Sequence, residues 1–227
     1  MPDRTQSRGQ QADPPPIHLC GEEIPHAGHI CAFFDSRKEK YNVLAPYFAE
    51  GLEQGDRIVN VVDAADREQH IRALAHADVP IAHAIDRGQF QLLTAEETYL
   101  TEGAVDLEGM LELLRDVLDA SNRDGKCVRT CGEMNWIGRS SMPIDNVMAY
   151  ESRVNELVPT FQCTLVCVYD IAYLRSGIVA DILATHPTAI INGRVRANPL
   201  YVPPKDFLHM LRHRSRKVGG AGPSAAT

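Results

Sequence analysis

The sequence lacks any run of apolar residues that approaches the ~18 needed to cross a bilayer, so no membrane-spanning segment is predicted. The 6 cysteines in 227 residues are too few for a disulfide scaffold, and the N-terminus has no charged-then-apolar secretory pattern. We therefore expect a cytoplasmic protein whose thiols stay reduced. The 16 glycines and 14 prolines follow no period, which argues against a collagen-like or wholly disordered chain.

Positive charge is in deficit, because 23 Lys and Arg face 30 Asp and Glu and the formal net charge is −7. Proteins that bind nucleic acid usually present a basic footprint instead. Direct binding of nucleic acid is therefore not expected. One short basic run, residues 212–217, is interpreted as a solvated end of the chain.

Catalytic motifs are missing as well. The sequence contains neither G-x-S-x-G nor H-E-x-x-H, and His83, His186 and His209 stand alone, which favours surface or structural roles for them. The segment at residues 35–40 has no glycine that would let backbone N–H groups close around phosphates. We predict no enzymatic activity, no cofactor and no metal ligand.

The sequence does contain two patterns of apolar residues that alternate along the chain, one typical of strands and the other typical of helices. Short apolar runs predict strands at residues 30–34, 58–62, 90–93, 127–134 and 163–169. Between them apolar residues recur at helical spacing, and Asn192-Gly193 predicts a two-residue hairpin turn. This alternation predicts an α/β fold, a three-layer sandwich with a mostly parallel sheet and a C-terminal β-hairpin.

The two ends of the chain differ from the middle in composition. Residues 1–16 are polar and end in three prolines, and small residues dominate the last ten positions. We expect a disordered segment over residues 1–16, one domain over residues 17–214 and a disordered tail over residues 215–227.

A ligand site is expected where the strands of such a sheet end, because ligands bind beyond the carboxyl ends of parallel strands. The residues that follow the predicted strands are Asp35, Ser36, Arg37, Asp63, Thr94, Glu96, Glu133, Asn135, Trp136 and Asp170. Trp136 is the single tryptophan, and beside a pocket it would offer a flat apolar wall with one N–H donor. Ordinary core packing is the alternative for Trp136.

His29 and Cys31 are two residues apart on a predicted strand, so their side chains point to the same face. Both could border one pocket, where the imidazole would hydrogen bond and the thiol would offer a soft contact. The alternative is a strand-end histidine satisfied by the backbone, beside a small buried cysteine. The other cysteines of the predicted strands, Cys127, Cys131, Cys163 and Cys167, are interpreted as small buried hydrophobes.

A metal site is a rival hypothesis for the same region. His18, Cys20, His26, His29 and Cys31 supply five nitrogen and sulfur donors, an inventory compatible with zinc or a softer metal. Their spacing does not match the C-x₂-C pattern of ordinary structural sites. Metal binding is therefore kept as an alternative and not as the main prediction.

Glu151 is an anomaly, because it occupies a core-facing position on the helix that Pro143 would open. A buried charge is costly unless it is paired or hydrogen-bonded. One interpretation pairs Glu151 with Arg153, Asn155 or a backbone donor at the edge of the helix face. The other places it opposite Glu133 or Trp136, where it would help to fix a ligand.

Several blocks, in order, resemble one family. They are residues 29–36, residues 51–56, residues 132–136, Tyr150-Glu151 with Asn155, residues 167–170, and His186-Pro187 through residues 198–204. Together they are similar to the MEDS domain, the sensory domain named for methanogens, methylotrophs and a dichloromethane-responsive regulator. The resemblance covers nearly all of the predicted domain.

The resemblance implies a RecA/KaiC-like fold that has lost its nucleotide-binding loop and senses small hydrocarbon derivatives or similar metabolites. Family members are commonly joined to output modules, for which neither flank of this domain has room, so we expect a regulatory partner such as a histidine kinase or an anti-sigma-factor system. The predicted ligand-binding residues are His29, Cys31, Asp35, Glu133, Trp136 and Glu151. The alternatives are a RecA-like nucleotide binder without a phosphate loop and a His/Cys metal-binding regulator.

Overall fold

A seven-stranded sheet forms the centre of the computed structural model, which describes residues 14–98, 107–121, 126–138, 142–161 and 163–219. The strands are β1 (Ile17–Leu19), β2 (Glu22–Ile24), β3 (Gly28–Phe34), β4 (Arg57–Val62), β5 (Phe90–Thr94), β6 (Val128–Glu133), β7 (Cys163–Asp170), β8 (Thr188–Ile191) and β9 (Arg194–Ala197). The helices are α1 (Arg37–Gln54), α2 (Arg67–His76), α3 (Ile81–Asp86), α4 (Ala95–Thr98), α5 (Leu107–Ser121), α6 (Ile144–Leu157), α7 (Val179–Thr185) and α8 (Pro204–Gly219).

The strand order of the main sheet is β5-β4-β6-β7-β3-β8-β9. All neighbours pair in parallel except β8 and β9, which form an antiparallel hairpin. Asn192 and Gly193 both have positive φ, 52° and 63°, as the predicted two-residue turn requires. The small β1–β2 hairpin packs against α1. The α/β class, the mostly parallel sheet and the C-terminal hairpin are confirmed.

The side chains of β3 contribute to the cores on both faces of the sheet. Successive residues of a strand point to opposite faces, so alternate residues of β3 belong to different cores. Ile30, Ala32 and Phe34 belong to a core cluster that also contains buried residues of α1, α2 and α3. Cys31 and Phe33 belong to a second cluster with residues of α5, α6, α7 and α8. Helices therefore cover both faces of the sheet, which explains why a strand such as β3 is buried along nearly its whole length.

The described elements begin with a strand and end with a helix. The first strand begins at Ile17, and α8 extends past Arg214 to Gly219. Helical periodicity in the basic run at residues 212–217 is weak, so the sequence did not indicate this extension. Residues 1–13 and 220–227 lie outside the described residues. Among the described helices, none combines the length and apolar character that crossing a bilayer requires.

A buried arginine joins the amino end of the sheet to α1. Arg129, on β6, is 0% exposed and donates through Nε to Asp56 Oδ2 at 2.7 Å. Its remaining nitrogens donate to Glu50, to Gln54 and to the backbone carbonyl of Tyr47, each at 2.8 Å. The close approach of Gly51 to Arg129 leaves no room for a side chain, because a Cβ there would lie 2.6 Å from Nε. Arg129 therefore fixes how α1 packs on the sheet.

We expect Arg129→Met to lower the free energy of unfolding by about 3–5 kcal/mol, because it leaves the Asp56 carboxylate buried without its partner. Urea unfolding followed by circular dichroism measures this change. Arg72→Met is the control, because Arg72 forms an exposed ion pair with Glu68 at 3.2 Å, and such pairs contribute about 0–1 kcal/mol. Equal losses in the two variants would contradict the role given to Arg129.

Candidate functional site

A cavity of about 530 Å³ opens at the carboxyl edge of the sheet. The strands β3, β4, β6 and β7 all end at it, which is where the rule for parallel sheets places a ligand. The residues that line it are Phe34, Ser36, Arg37, Lys40, Asp63, Asp66, Glu133, Asn135, Gly138, Val168, Asp170, Tyr173 and Arg175. Its volume lies in the range of about 300–1,000 Å³ that is typical of small-molecule sites.

A buried ion pair lies at the wall of this cavity. Lys40 Nζ on α1 lies 2.6 Å from Glu133 Oε1 at the end of β6, and the two side chains are 13% and 3% exposed. Burial raises the pKa of the Glu133 carboxyl, and the positive charge of Lys40 opposes that effect. The pair therefore holds a negative and a positive group at the edge of a partly closed cavity, where both can interact with a polar ligand.

His70 lies next to this ion pair and is close to both Tyr41 and Glu133. Its Nδ1 lies 3.0 Å from the hydroxyl of Tyr41 and 3.9 Å from Glu133 Oε1, and its side chain is 1% exposed. Burial lowers the pKa of His70 from 6.5 to about 3, and the charge of Lys40 lowers it further. The imidazole is therefore neutral at physiological pH.

At the N-terminus of α1, the side chains of Ser36 and Glu39 accept hydrogen bonds from backbone N–H groups. Ser36 Oγ accepts from the backbone N–H of Glu39 at 3.3 Å, and Glu39 Oε2 accepts from the N–H of Asp35 at 3.0 Å. This arrangement is a variant of the capping box, in which Glu39 accepts from the residue before the N-cap Ser36. It places a carboxylate where a phosphate-binding loop would present free N–H groups.

An apolar extension adjoins the polar cavity. It has a volume of about 260 Å³ and shares Asn135, Gly138, Asp170, Tyr173 and Arg175 with the larger cavity. Its other lining residues are Met134, Ile137, Met142, Ile144, Leu174 and Ile178. Together the two spaces offer a charged end and an apolar end to one molecule.

A second group of polar side chains lies away from the cavity, between the sheet and α6. His29 Nε2 and His186 Nε2 each lie 3.3 Å from Glu151 Oε2, and Cys167 Sγ lies 3.5 Å from both His29 Nε2 and Glu151 Oε2. All four residues are buried, and their nearest polar atoms lie within 4.8 Å of one another. We call His29, Glu151, Cys167 and His186 the buried quartet.

Burial dominates the electrostatics of the buried quartet. It lowers the pKa of His29 to about 4 and raises the pKa of the Cys167 thiol well above its ordinary value. Burial also opposes ionisation of Glu151, but its contacts with His186 and His29 outweigh that effect and lower the pKa of the Glu151 carboxyl to about 2. An ionised carboxylate in this place depends on positive charge or strong donors close to it.

The structure divides the predicted site residues between these two places. Glu133 lines the cavity, whereas His29 and Glu151 belong to the buried quartet. Cys31 is 0% exposed beside the quartet, and its thiol lies 3.7 Å from the carbonyl oxygen of Thr188. Trp136 is 0% exposed in the core and is not among the residues lining the large cavity. Ligand contact by these residues stays a prediction.

Asp35 is exposed and is not among the lining residues, although the neighbouring Ser36 is. Both interpretations of Glu151 were wrong about its partners. Its carboxylate meets two histidines and a cysteine, whereas Arg153 pairs with Glu108 and Asn155 Nδ2 bonds the backbone carbonyl of Glu151. The helix-face pattern located Glu151 in the core but contained no information about what lay opposite.

The metal hypothesis built on the N-terminal histidines and cysteines does not match the structure. His18 pairs with Glu50 at 2.6 Å, and His26 Nδ1 lies 3.6 Å from Cys127 Sγ. Among the described residues, the buried quartet is the group of His, Cys, Asp and Glu side chains that could hold a metal, and of the five residues proposed from sequence it contains His29 alone.

Sequence reasoning missed His186 and Lys40. His186 was interpreted as a lone histidine in a turn, but it is 0% exposed and contacts Glu151. Its place in one of the family-like blocks was the available signal. Lys40 was one of three cations in a charged segment, and nothing in the segment marked it as the one that reaches Glu133.

Comparison with known proteins agrees with this fold. The family model described as "MEthanogen/methylotroph, DcmR Sensory domain", MEDS, matches residues 28–187, which is more than half of the chain. The chain therefore belongs to the MEDS family of sensory domains. A comparison with proteins of curated function gave no match.

Two solved structures are similar to this one. The KaiC-like protein PH0186 of Pyrococcus horikoshii OT3 has a TM-score of 0.53 and 13% identity, with 73% of this chain and 71% of that chain covered. The flagellar accessory protein FlaH of Methanocaldococcus jannaschii has a TM-score of 0.47 and 14% identity, with 78% of each chain covered. The first likeness supports the RecA/KaiC-like fold and, at this identity, nothing beyond the fold.

The burial of His70 predicts a dependence of stability on pH. Because its pKa is lowered from 6.5 to about 3 in the folded protein, the unfolded chain binds a proton that the folded chain does not, and stability falls as the pH drops through this window. His70→Gln should remove a slope of up to roughly 1.4 kcal/mol per pH unit between these values. Urea unfolding at a series of pH values measures the slope.

His83→Gln is the matched control, because His83 is exposed on α3. It should leave the slope unchanged. A His70→Gln profile that overlays the parent would contradict a neutral, buried imidazole behind Glu133.

Proposed function

We propose that this chain is a non-catalytic cytoplasmic sensor whose cavity binds a small molecule with one polar and one apolar end. The observation that carries the proposal is the juxtaposition of the Lys40–Glu133 pair with the apolar extension, all at the carboxyl edge of the sheet. Membership of a sensory-domain family supports the same role.

The polar end of the ligand would meet opposite charges. Lys40 and Glu133 face each other at 2.6 Å, and Arg37 and Arg175 supply further cations at the cavity wall. A ligand that carries an amine, hydroxyl or carboxyl group can replace part of this pairing with charge-assisted hydrogen bonds. The apolar end would lie against Ile137 and Leu174, which suits a short hydrocarbon derivative.

The capping box at α1 argues against a nucleotide. The N–H of Glu39 donates to Ser36 Oγ and the N–H of Asp35 donates to Glu39 Oε2, so neither is available to a phosphate, and Glu39 adds a negative charge that repels an anion. The sequence also lacks the glycines of a phosphate loop. These features support sensing without ATP hydrolysis.

We expect the output of such a sensor to pass to a regulatory partner protein. A histidine kinase or an anti-sigma-factor system is the partner class that the family resemblance implies. We expect ligand binding to change the conformation of the loops around Asn135 and Tyr173, because both residues border the polar cavity and the apolar extension. That change would alter the surface that contacts the partner.

The experiment combines native mass spectrometry of the purified chain with titration of a defined panel of probes. The panel contains short alcohols, amines, carboxylates and halogenated hydrocarbons, with Mg²⁺–ATP as the nucleotide probe. Fluorescence of Trp136 reports binding, because Trp136 is the single tryptophan and Asn135, its neighbour in sequence, lines the cavity. We expect at least one probe of the first four classes to bind and Mg²⁺–ATP not to be hydrolysed.

Lys40→Met should weaken that binding by roughly 10–100-fold, since a hydrogen bond to a charged group contributes about 1.5–3 kcal/mol. Lys38→Met is the control, because Lys38 is exposed on the same helix and is not a lining residue. Arg175→Gln tests the opposite wall with an exposed residue whose loss should not unfold the chain. Turnover of Mg²⁺–ATP, or binding that neither cavity variant weakens, would show that the proposal is wrong.

A further inference from the structure

The buried quartet presents an unresolved electrostatic problem. Glu151 is 0% exposed, its Oε2 is shared by two imidazoles, and within the described part of the chain its Oε1 is buried with no hydrogen-bond partner. A carboxylate in such a place is stable only beside positive charge or strong donors. The identity of that positive charge decides what the site is.

The hydrogen bonds on the far side of each ring fix the tautomers. Asn155 Nδ2 donates to the carbonyls of Ser152 at 3.0 Å and Thr185 at 2.8 Å, so Asn155 Oδ1 is the atom that faces His29 Nδ1 at 3.3 Å. An amide oxygen only accepts, so His29 Nδ1 carries the hydrogen.

His186 follows the same logic. Its Nδ1 lies 2.7 Å from the backbone carbonyl oxygen of Ile182, which only accepts, so Nδ1 again carries the hydrogen. In neutral rings both Nε2 atoms then present a lone pair toward Glu151. Within the described residues His186 Nε2 is buried and has no hydrogen-bond partner. Two nitrogen lone pairs and a carboxylate oxygen therefore converge with no hydrogen between them.

The separations match those of a metal's ligands. A tetrahedral zinc ion with bonds of about 2.0–2.3 Å to nitrogen, oxygen and sulfur keeps its ligand atoms roughly 3.3–3.6 Å apart. In the quartet the two nitrogen–oxygen separations are 3.3 Å, and Cys167 Sγ lies 3.5 Å from His29 Nε2 and from Glu151 Oε2. Four of the six separations between the ligand atoms are therefore those of a tetrahedral site, and the other two lie within 4.8 Å.

We propose that His29, Glu151, Cys167 and His186 bind one divalent transition-metal ion, with zinc as the best fit to the ligand set. The imidazoles ligate through Nε2, Glu151 through Oε2 and Cys167 as a thiolate, whose proton passes to solvent on binding. The ion's two positive charges balance the carboxylate and the thiolate, so the loaded site is neutral. Four protein ligands leave no open position, which is typical of a structural zinc site.

The ion would connect four parts of the fold. His29 lies on β3, Cys167 on β7 and Glu151 on α6, and His186 directly follows α7. The Nδ1 contacts with Asn155 and Ile182 are the outer hydrogen bonds that orient histidine ligands. Because the site is buried, we expect the ion to enter during folding and to resist chelators until the chain unfolds.

The test begins with the full-length wild type, produced in media supplemented with Zn²⁺ or with Co²⁺ and purified under reducing conditions. Elemental analysis should give about one metal ion per chain, and native protein should retain it in the presence of EDTA until denaturant is added. The cobalt form should show the visible bands of four-coordinate Co²⁺ and a thiolate-to-cobalt charge-transfer band. X-ray absorption at the zinc edge should show one sulfur among nitrogen and oxygen ligands.

Variants assign the site. Cys167→Ser should abolish the charge-transfer band, whereas Cys163→Ser, a buried thiol on the same strand and facing the same core cluster, should keep it. Asn155→Ala should lower the metal affinity by roughly 10–100-fold without removing a ligand. Lys40→Met should retain the metal, because the inference does not depend on the proposed ligand of the cavity.

Two results would overturn the inference. One is a folded wild type that carries neither zinc nor cobalt after growth in the supplemented media. The other is an X-ray absorption spectrum of the metal-loaded wild type that shows no sulfur ligand. The same conclusion would follow if Cys167→Ser and Asn155→Ala both bound the metal with unchanged affinity and spectrum. The wild-type absorption spectrum decides the question even where a variant fails to fold.

Discussion

The position of β3 between β7 and β8 is the constraint on which the other features depend. Its parallel pairing with β7 places Cys31 beside Cys167, and its pairing with β8 places Cys31 beside Ala189. From this central strand one face supplies the core under α1, and the other carries His29 toward α6. Its carboxyl end leads directly into the cavity. A slip of one residue would exchange the two faces and destroy both sites.

The layers and the order of elements were predictable from the sequence, because hydrophobic period is a local property that reports helix, strand and burial. The position of Glu151 in the core was predictable for the same reason. The partners of Glu151 were not, since they come from β3, β7 and the end of α7 and meet only through the pairing order of the sheet. The same holds for Lys40, whose choice of Glu133 depends on how α1 packs over β6.

The two buried carboxylates illustrate different solutions to one problem. Glu133 lies beside Lys40, a cation that belongs to the chain and that remains partly exposed at the cavity wall. Both described ion-pair partners of Glu151 are histidines, and neither is a lysine or an arginine. Because Lys40 belongs to the chain itself, the Glu133 carboxylate is stable without an added ion and remains accessible to a ligand. The second carboxylate has no lysine or arginine among its described ion pairs, and the metal ion proposed above would supply the positive charge.

The lack of glycine at residues 35–40 does not remove the crevice, because the crevice arises where parallel strands end and their connections diverge. In this chain the capping box closes the helix N-terminus, and the cavity walls are rebuilt from Lys40, Glu133 and the segment around Tyr173. The strand β7 joins the two regions, since Val168 lines the cavity while the preceding Cys167 belongs to the buried quartet. Because adjacent residues of a strand point to opposite faces, any displacement of β7 moves both groups together. A buried quartet held together by a metal ion would therefore also hold in place the cavity wall that Val168 forms.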